Sequence, residues 1–168
     1  MTAKPVVIIL MGSASDLPHC AEIATALENL GIDYVQRVAS AHKSPSRLLH
    51  ILQEYEASSR PHVYITVAGR SNALSGMVDA MVSSPVIACP PPSQAYAGVD
   101  IYSSLRMPSG VAPVLVLEPA NAALAAAKML ALSEPALLER ILALQENNQK
   151  TLEQADAQIQ RNNQDTKI

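Results

Sequence analysis

The chain alternates between short, almost wholly apolar runs and longer stretches whose apolar residues recur at helical spacing. Pro5 to Met11 is an unbroken apolar run rich in β-branched residues, the pattern of a strand buried on both faces. Asp16 then precedes a helical stretch to Leu30, with Ile23, Leu27 and Leu30 on one face and Gly31 as its stop. Tyr34 to Val38 predicts a second strand. Pro45 suits the first turn of the next helix, where its missing N–H removes no bond. Leu48, Leu49, Ile51, Leu52 and Tyr55 form that helix's apolar face. His62 to Val67 predicts a third strand, and Leu74, Met77, Val78 and Met81 mark a third helix. Val86 to Ala88 is a short fourth strand, closed by Cys89-Pro90-Pro91-Pro92, which cannot continue a ladder. Residues 93–106 predict a loop with a short helical segment. A fifth strand follows around Val114 to Leu117, then an Ala-rich helix over Asn121 to Leu132, and Pro135 opens a last helix.

Strict alternation of strand and helix predicts an α/β fold: a doubly wound parallel sheet between two helical layers. Right-handed crossovers and a 2-1-3-4-5 strand order are the expected solution. The whole chain, 1–168, reads as one domain, with a core over about 5–132 and a helical arm over about 134–164. There is no internal repeat and no interior linker. In the arm, Leu137, Leu138, Ile141 and Leu144 form an apolar stripe. Past Gln145 only Leu152 and Ile159 remain as large apolar residues. So thin a stripe fits either a frayed tail or an arm packed on another subunit.

In the expected sheet three polar loops leave the carboxyl ends of strands 1, 2 and 3, where ligands bind in open parallel sheets. They are Gly12-Ser13-Ala14-Ser15-Asp16, Ser40-Ala41-His42-Lys43-Ser44-Pro45 and Ala68-Gly69-Arg70-Ser71-Asn72-Ala73. Strand 1 would lie between strands 2 and 3, so the loops would be neighbours at the switch point. One His, one Lys, one Arg, one Asp and several hydroxyls then face one place. That set suits a small phosphorylated substrate and a proton-transfer step.

Composition narrows the classes. Apolar residues make up 49% of the chain, yet there is no Phe and no Trp, and the formal net charge is −3. An acidic chain lacks the basic face that nucleic acid requires, and five tyrosines are a poor stacking platform. Cys20 and Cys89 form no C-x-x-C, and four scattered histidines show no metal-ligand spacing. A reduced, cytoplasmic protein without a metal is the expectation. The first apolar run, about seven residues long, is too short for a signal h-region or a membrane span.

Each loop residue has a plain alternative. Ser13 and Ser15 can be helix caps and Asp16 a favourable first-turn acid, or together with Gly12 they can hold phosphate and ribose. His42 is the best candidate for chemistry, because imidazole gives and takes a proton near neutral pH. His19, His50 and His62 fall on helices or at a strand start. Lys43 is either a point charge for a carboxylate or phosphate, or a solvated lysine. Gly69 and Ser71 can bring N–H groups to an anion, and Arg70 can bind it bidentately or form a structural ion pair. Cys89 has no histidine near it in sequence and reads as a small buried hydrophobe. The 93–110 segment, with Tyr96, Asp100, Arg106 and Ser109, reads as a lid or an interface.

At these residues the chain resembles the phosphoribosylaminoimidazole carboxylases, the PurE family of purine biosynthesis. The resemblance runs from the first strand through the Ala-rich helix. The family's glycine-serine-x-serine-aspartate loop is matched at Gly12 to Asp16. Its serine-alanine-histidine followed by a basic residue is matched at Ser40 to Lys43. One family class, a mutase acting on N5-carboxyaminoimidazole ribonucleotide, carries arginine after the histidine and a second histidine in a glycine-rich third loop. This chain has Lys43, and Ala68 to Gly76 contains no histidine. Those departures match the second class, which carboxylates aminoimidazole ribonucleotide (AIR) directly with CO2 to 4-carboxy-5-aminoimidazole ribonucleotide (CAIR). Ser103-Ser104-Leu105-Arg106-Met107-Pro108-Ser109-Gly110-Val111 also looks like that class.

The resemblance implies a flavodoxin-like subunit in a homo-octamer, with the C-terminal helix packed on a neighbour; the segment past Gln145 runs longer than the family's, which predicts a disordered extreme end. It implies a stand-alone enzyme, where some animals fuse the domain to a synthetase. His42 would be the general acid/base. Gly12, Ser13, Asp16, Ser40, Ala41, Lys43, Gly69, Arg70, Ser71, Asn72 and Ala73 would bind substrate. No biotin, ATP, flavin or metal is expected. The rivals are the mutase, a flavin-binding electron carrier, whose ring only Tyr96 and Tyr102 could flank, and a nucleotide sensor without turnover.

Overall fold

The computed structural model describes residues 3–165. Strand β1 (Val6–Met11) is followed by a 3-10 turn (Ala14–Asp16), α1 (Leu17–Asn29), β2 (Asp33–Val38), α2 (Pro45–Glu56) and β3 (His62–Val67). Then come α3 (Ala73–Asp79), β4 (Val86–Ala88), a 3-10 segment (Ala95–Ser104), β5 (Val114–Leu115), α4 (Pro119–Leu130) and α5 (Pro135–Asp165). The strands form one parallel sheet in the order β2-β1-β3-β4-β5, as the alternation predicts.

The central strand explains the unbroken apolar run. Along β1, Val7, Ile9 and Met11 point into the layer of α1, α4 and the base of α5, while Ile8 and Leu10 point into the layer of α2 and α3. Both faces of the pleat are covered, so no position of the strand can be polar. β1 pairs with both neighbours in register: Val6 lies beside Asp33 and His62, and Met11 beside Val38 and Val67. The three strand ends are therefore level, and the loops that follow start from one line.

Several element ends differ from expectation. The third helix stops at Asp79, and Met81 is left 54% exposed. The Ala-rich helix begins two residues early because Pro119 occupies its first turn. The fifth strand is only Val114–Leu115. In the 3-10 segment, Tyr96, Ala97 and Gly98 take left-handed backbone angles that break it in two.

Helix α1 ends where Gly31 was expected to stop it. The Gly31 N–H donates to Glu28 O at 2.9 Å and the Ile32 N–H to Leu27 O at 2.9 Å, with Gly31 at φ 63°. That is a Schellman close, which needs a residue at ease in the left-handed region. Two further carbonyls are taken by α5: Arg140 Nη1 donates to Leu30 O at 2.9 Å and to Gly31 O at 2.8 Å. Leu137 and Ile141 are buried beside it. Past Gln145 the helix continues to Asp165, and its side chains are exposed as far as Asn163, Leu152 at 72% and Ile159 at 59%. The disorder expected of the extreme end falls on residues 166–168, outside the described residues.

The amino ends of the strands are tied by one carboxylate. Glu56, the last residue of α2, accepts from Tyr64 Oη at 3.2 Å and from the Ser83 N–H and Oγ at 3.1 Å each. His62 places Nε2 2.8 Å from Glu56 Oε1 and Nδ1 2.7 Å from Arg60 O. This cluster joins α2, β3 and the α3–β4 connection at the end of the sheet remote from the three loops.

Candidate active site

The three loops meet. They enclose a cleft of about 510 Å³ lined by Gly12, Ser13, Ser15, Asp16, Ser40, Ala41, His42, Lys43, Ala68, Gly69, Arg70, Ser71 and Leu74. Each loop is braced before any ligand arrives. In the first, the Ser13 N–H donates to Asp16 Oδ2 at 3.1 Å, while Ser13 Oγ accepts from the Ser15 N–H at 3.3 Å and from Ser15 Oγ at 2.9 Å. Capping and cleft-lining are thus roles of the same residues rather than alternatives. In the second, Ser40 Oγ accepts the Lys43 N–H at 3.2 Å and the Ser40 N–H donates to Ser44 Oγ at 3.0 Å. His42 and Lys43 stand on this closed turn with exposed side chains.

The third loop is the most constrained. Arg70 has φ 61°, a left-handed conformation that a non-glycine residue keeps only when its surroundings impose it. Its guanidinium helps set the charge of Asp16 across the cleft. Burial raises the Asp16 carboxyl above its usual range; the Ser13 N–H, His19 and Arg70 pull the other way without cancelling it. Asn72 and Ala73 do not line the cleft. Asn72 is buried, its Oδ1 capping α3 through the Ser75 N–H at 3.2 Å and its Nδ2 donating to Ser104 Oγ at 2.8 Å. Ala73 is the first residue of α3. Ser15, Ala68 and Leu74 do line it and were not among the expected binding residues. Ser15 and Ala68 lay in the recognised loops, whereas Leu74 gave only a core signal.

A second cavity of about 420 Å³ lies beyond the Ala68–Gly69–Arg70 wall, bordered by His19, Glu22, Pro90 to Ser93, Asp100, Ser103, Ser104 and Glu118. Behind it, His19 Nε2 is 3.4 Å from Cys89 Sγ, a contact that sequence distance concealed. Burial, with Cys20, Glu118 and Glu22 adding to it, pushes the Cys89 thiol up to about 12. A thiol held protonated is no nucleophile. Tyr96 and Tyr102, the residues a flavin would need, are 86% and 66% exposed and line neither cavity. Among the described residues no group of three or more His, Cys, Asp or Glu can hold a metal ion, and no helix is long and apolar enough to cross a membrane.

A family model described as AIR carboxylase matches residues 6–151, a span that contains all three cleft loops. The chain belongs to the AIR carboxylase family. A phosphoribosylaminoimidazole carboxylase of Treponema denticola is 51% identical over 158 residues, covering 94% of this chain and 99% of that one. One of Archaeoglobus fulgidus is 53% identical over 152 residues, covering 90% and 83%. A human bifunctional phosphoribosylaminoimidazole carboxylase/phosphoribosylaminoimidazole succinocarboxamide synthetase is 42% identical over 153 residues. This chain covers 36% of that longer protein, the fused arrangement expected in some animals. The crystal structure of Treponema denticola PurE superposes with a TM-score of 0.91 at 52% identity, covering 92% of this chain and 98% of that one. The flavodoxin-like architecture, the parallel sheet and the long C-terminal helix are thus family features.

Proposed function

We propose that this AIR carboxylase family member uses CO2 itself, converting AIR to CAIR reversibly with His42 as the proton carrier. The observation that carries the reading is the composition of the cleft. Its only histidine is His42, a lysine follows it, and the third loop contributes an arginine and backbone N–H groups. A mutase on the family's pattern would bring a second histidine from that third loop.

AIR is an enamine-like nucleophile at C4. Its electron pair forms the C4–carboxyl bond to CO2, and one C=O pair moves onto oxygen to make the carboxylate. The exocyclic nitrogen carries the positive charge of the resulting iminium. His42 then takes the C4 proton, which restores the aromatic ring; in reverse it returns that proton and CO2 leaves. Ser13 and Asp16 hold the ribose phosphate end. Ser40, Ala41 and Lys43 orient the ring and carboxylate, and Gly69, Arg70 and Ser71 bind the anionic group opposite. Holding CO2 beside C4 supplies much of the acceleration, and displacement of water by the bound ribonucleotide suppresses loss of the carboxyl group. On this reading neither biotin, ATP, flavin nor metal takes part.

The exposed Leu152 and Ile159 of α5 favour an arm that packs on another copy, in a cytoplasmic octamer. Light scattering reads that assembly; a monomer would refute it. The chemistry is tested by product formation from AIR in bicarbonate-buffered CO2, run beside N5-carboxyaminoimidazole ribonucleotide with CO2 depleted. CAIR from the first alone supports the direct carboxylase. CAIR from the second alone means the mutase.

A further inference from the structure

The cleft and the second cavity share one wall, and the strained residue of that wall is Arg70. Its carbonyl is held from outside the cleft. The clamp comes from the far cavity, where the 3-10 segment Ala95–Ser104 passes behind the third loop. Ser103 Oγ accepts the Asn72 N–H at 2.9 Å and lies 2.8 Å from Asp100 O and 3.3 Å from Arg70 O. Its single proton serves those two carbonyls, so one hydroxyl joins the residue after the turn, the turn itself and the outer segment. One residue on, Ser104 Oγ accepts from Asn72 Nδ2 at 2.8 Å, and both ends of the Asn72 amide are thereby committed. Ser104 and Asn72 are each 5% exposed, so water does not compete for the bond between them; Ser103 stands at the surface, and its three contacts are held by geometry rather than by burial.

We propose that Ser103, seconded by Ser104 and Asn72, is a positioning residue that imposes the left-handed turn at Arg70 and so aims its guanidinium into the cleft. These residues act through Arg70. This gives a task to Ser103-Ser104, part of a motif whose resemblance pointed to the CO2-using class without assigning it one. The proposal rests on the reading that the cleft binds the ribonucleotide and that Arg70 meets one of its anionic groups. Without the Ser103 hydroxyl, the Asn72 N–H and Arg70 O lose a shared partner, and the turn can relax toward right-handed angles. The guanidinium then points elsewhere.

The test is a double-mutant cycle on steady-state constants for AIR. Loss of one or two neutral hydrogen bonds predicts that Ser103→Ala raises KM by about tenfold. The value of kcat should stay within about twofold, because the proton carrier His42 is untouched. Arg70→Ala should raise KM at least as much. In the Arg70→Ala background, Ser103→Ala should then change KM by less than about twofold, since coupled residues are non-additive. Ser103→Thr, which keeps the hydroxyl, should restore the wild-type KM. Additive losses, an unchanged KM in Ser103→Ala, or an unchanged KM in Arg70→Ala would each overturn the proposal. If Ser103→Ala does not fold, Ser104→Ala replaces it in the cycle under the same criteria. A wild-type enzyme that turns over AIR while the losses add sinks the positioning role alone. A wild type with no turnover of AIR sinks the functional reading, and this proposal with it.

Discussion

Replacing Glu56 by glutamine keeps the side chain's size and removes half of its accepting capacity. The carboxylate takes bonds from Tyr64 and His62 on one oxygen and from the Ser83 N–H and hydroxyl on the other. Glutamine keeps one carbonyl oxygen and turns an NH2 toward the remaining donors. The Ser83 hydroxyl can rotate and accept, but the Ser83 N–H cannot, and the His62 contact loses its charge assistance. Two bonds at about 1–1.5 kcal/mol each give a loss of roughly 2–3 kcal/mol. For a chain of this length that lowers Tm by roughly 5–10 °C. The two proteins are compared by thermal melts at equal concentration, because any assembly makes Tm concentration-dependent. Activity on AIR at a permissive temperature should be unchanged, since the cluster lies at the other end of the sheet. The pH dependence has a definite sign. Burial raises the Glu56 carboxyl, but the bonds from His62 and Ser83 outweigh it, and the net shift is downward from 4.5. A group depressed in the folded state stabilises above its unfolded value and loses that effect as pH falls through the folded one. The Tm gap between wild type and Glu56→Gln should therefore be full above pH 4.5 and close below it. A gap under about 2 °C at neutral pH, or one that widens in acid, would refute the reasoning.

Three further outcomes are expected. His42→Asn should lower kcat by about 10²–10⁴-fold while AIR still binds by calorimetry; near-normal turnover would remove His42 from proton transfer. Gly31→Ala places a Cβ at φ 63° against the Arg140 guanidinium and should cost at least about 1 kcal/mol, read by denaturant titration; a neutral result would mean the α1 close is not under strain. Cys20 and Cys89, both fully buried and both pushed up to about 12, should resist alkylation at pH 8 in the folded protein and react once it is unfolded; fast labelling of the native state would contradict the burial.

Much of this was legible because local chemistry and global arrangement agree. Val6–Met11 has no polar residue, which only a strand covered on both faces tolerates, and that placed β1 centrally. Gly31 and Pro45 announced a helix stop and a helix start through backbone preferences that no packing can override. Once the strand order followed, the convergence of His42, Lys43, Asp16 and Arg70 needed no further information. The misses have a common cause. Asn72 was read as facing the ligand, although an Asn just before a helix is equally a cap, and the inward reading depended on Ser103 and Ser104 some thirty residues away. His19 does lie on its helix, as read, but its contact with Cys89 spans 70 residues and left no local signal. The left-handed pair Tyr96–Ala97 carries no residue signal at all, since both are ordinary L-residues and only the adjacent Gly98 hints at a kink. Leu74 was assigned to the apolar face of its helix, yet it also reaches the cleft.

The bond pair from Arg140 to the end of α1 has a mechanical side. At about 1.5 Å of rise per residue, the stretch from Gln145 to Asp165, which begins just past that anchor, is about 30 Å long. A tilt of about 10° at the base sweeps its far end through about 5 Å, the height of one helical turn. Leu152 and Ile159 ride on that lever. Their position is set at Gly31, and an error of a few tenths of an ångström there arrives at the tip many times enlarged.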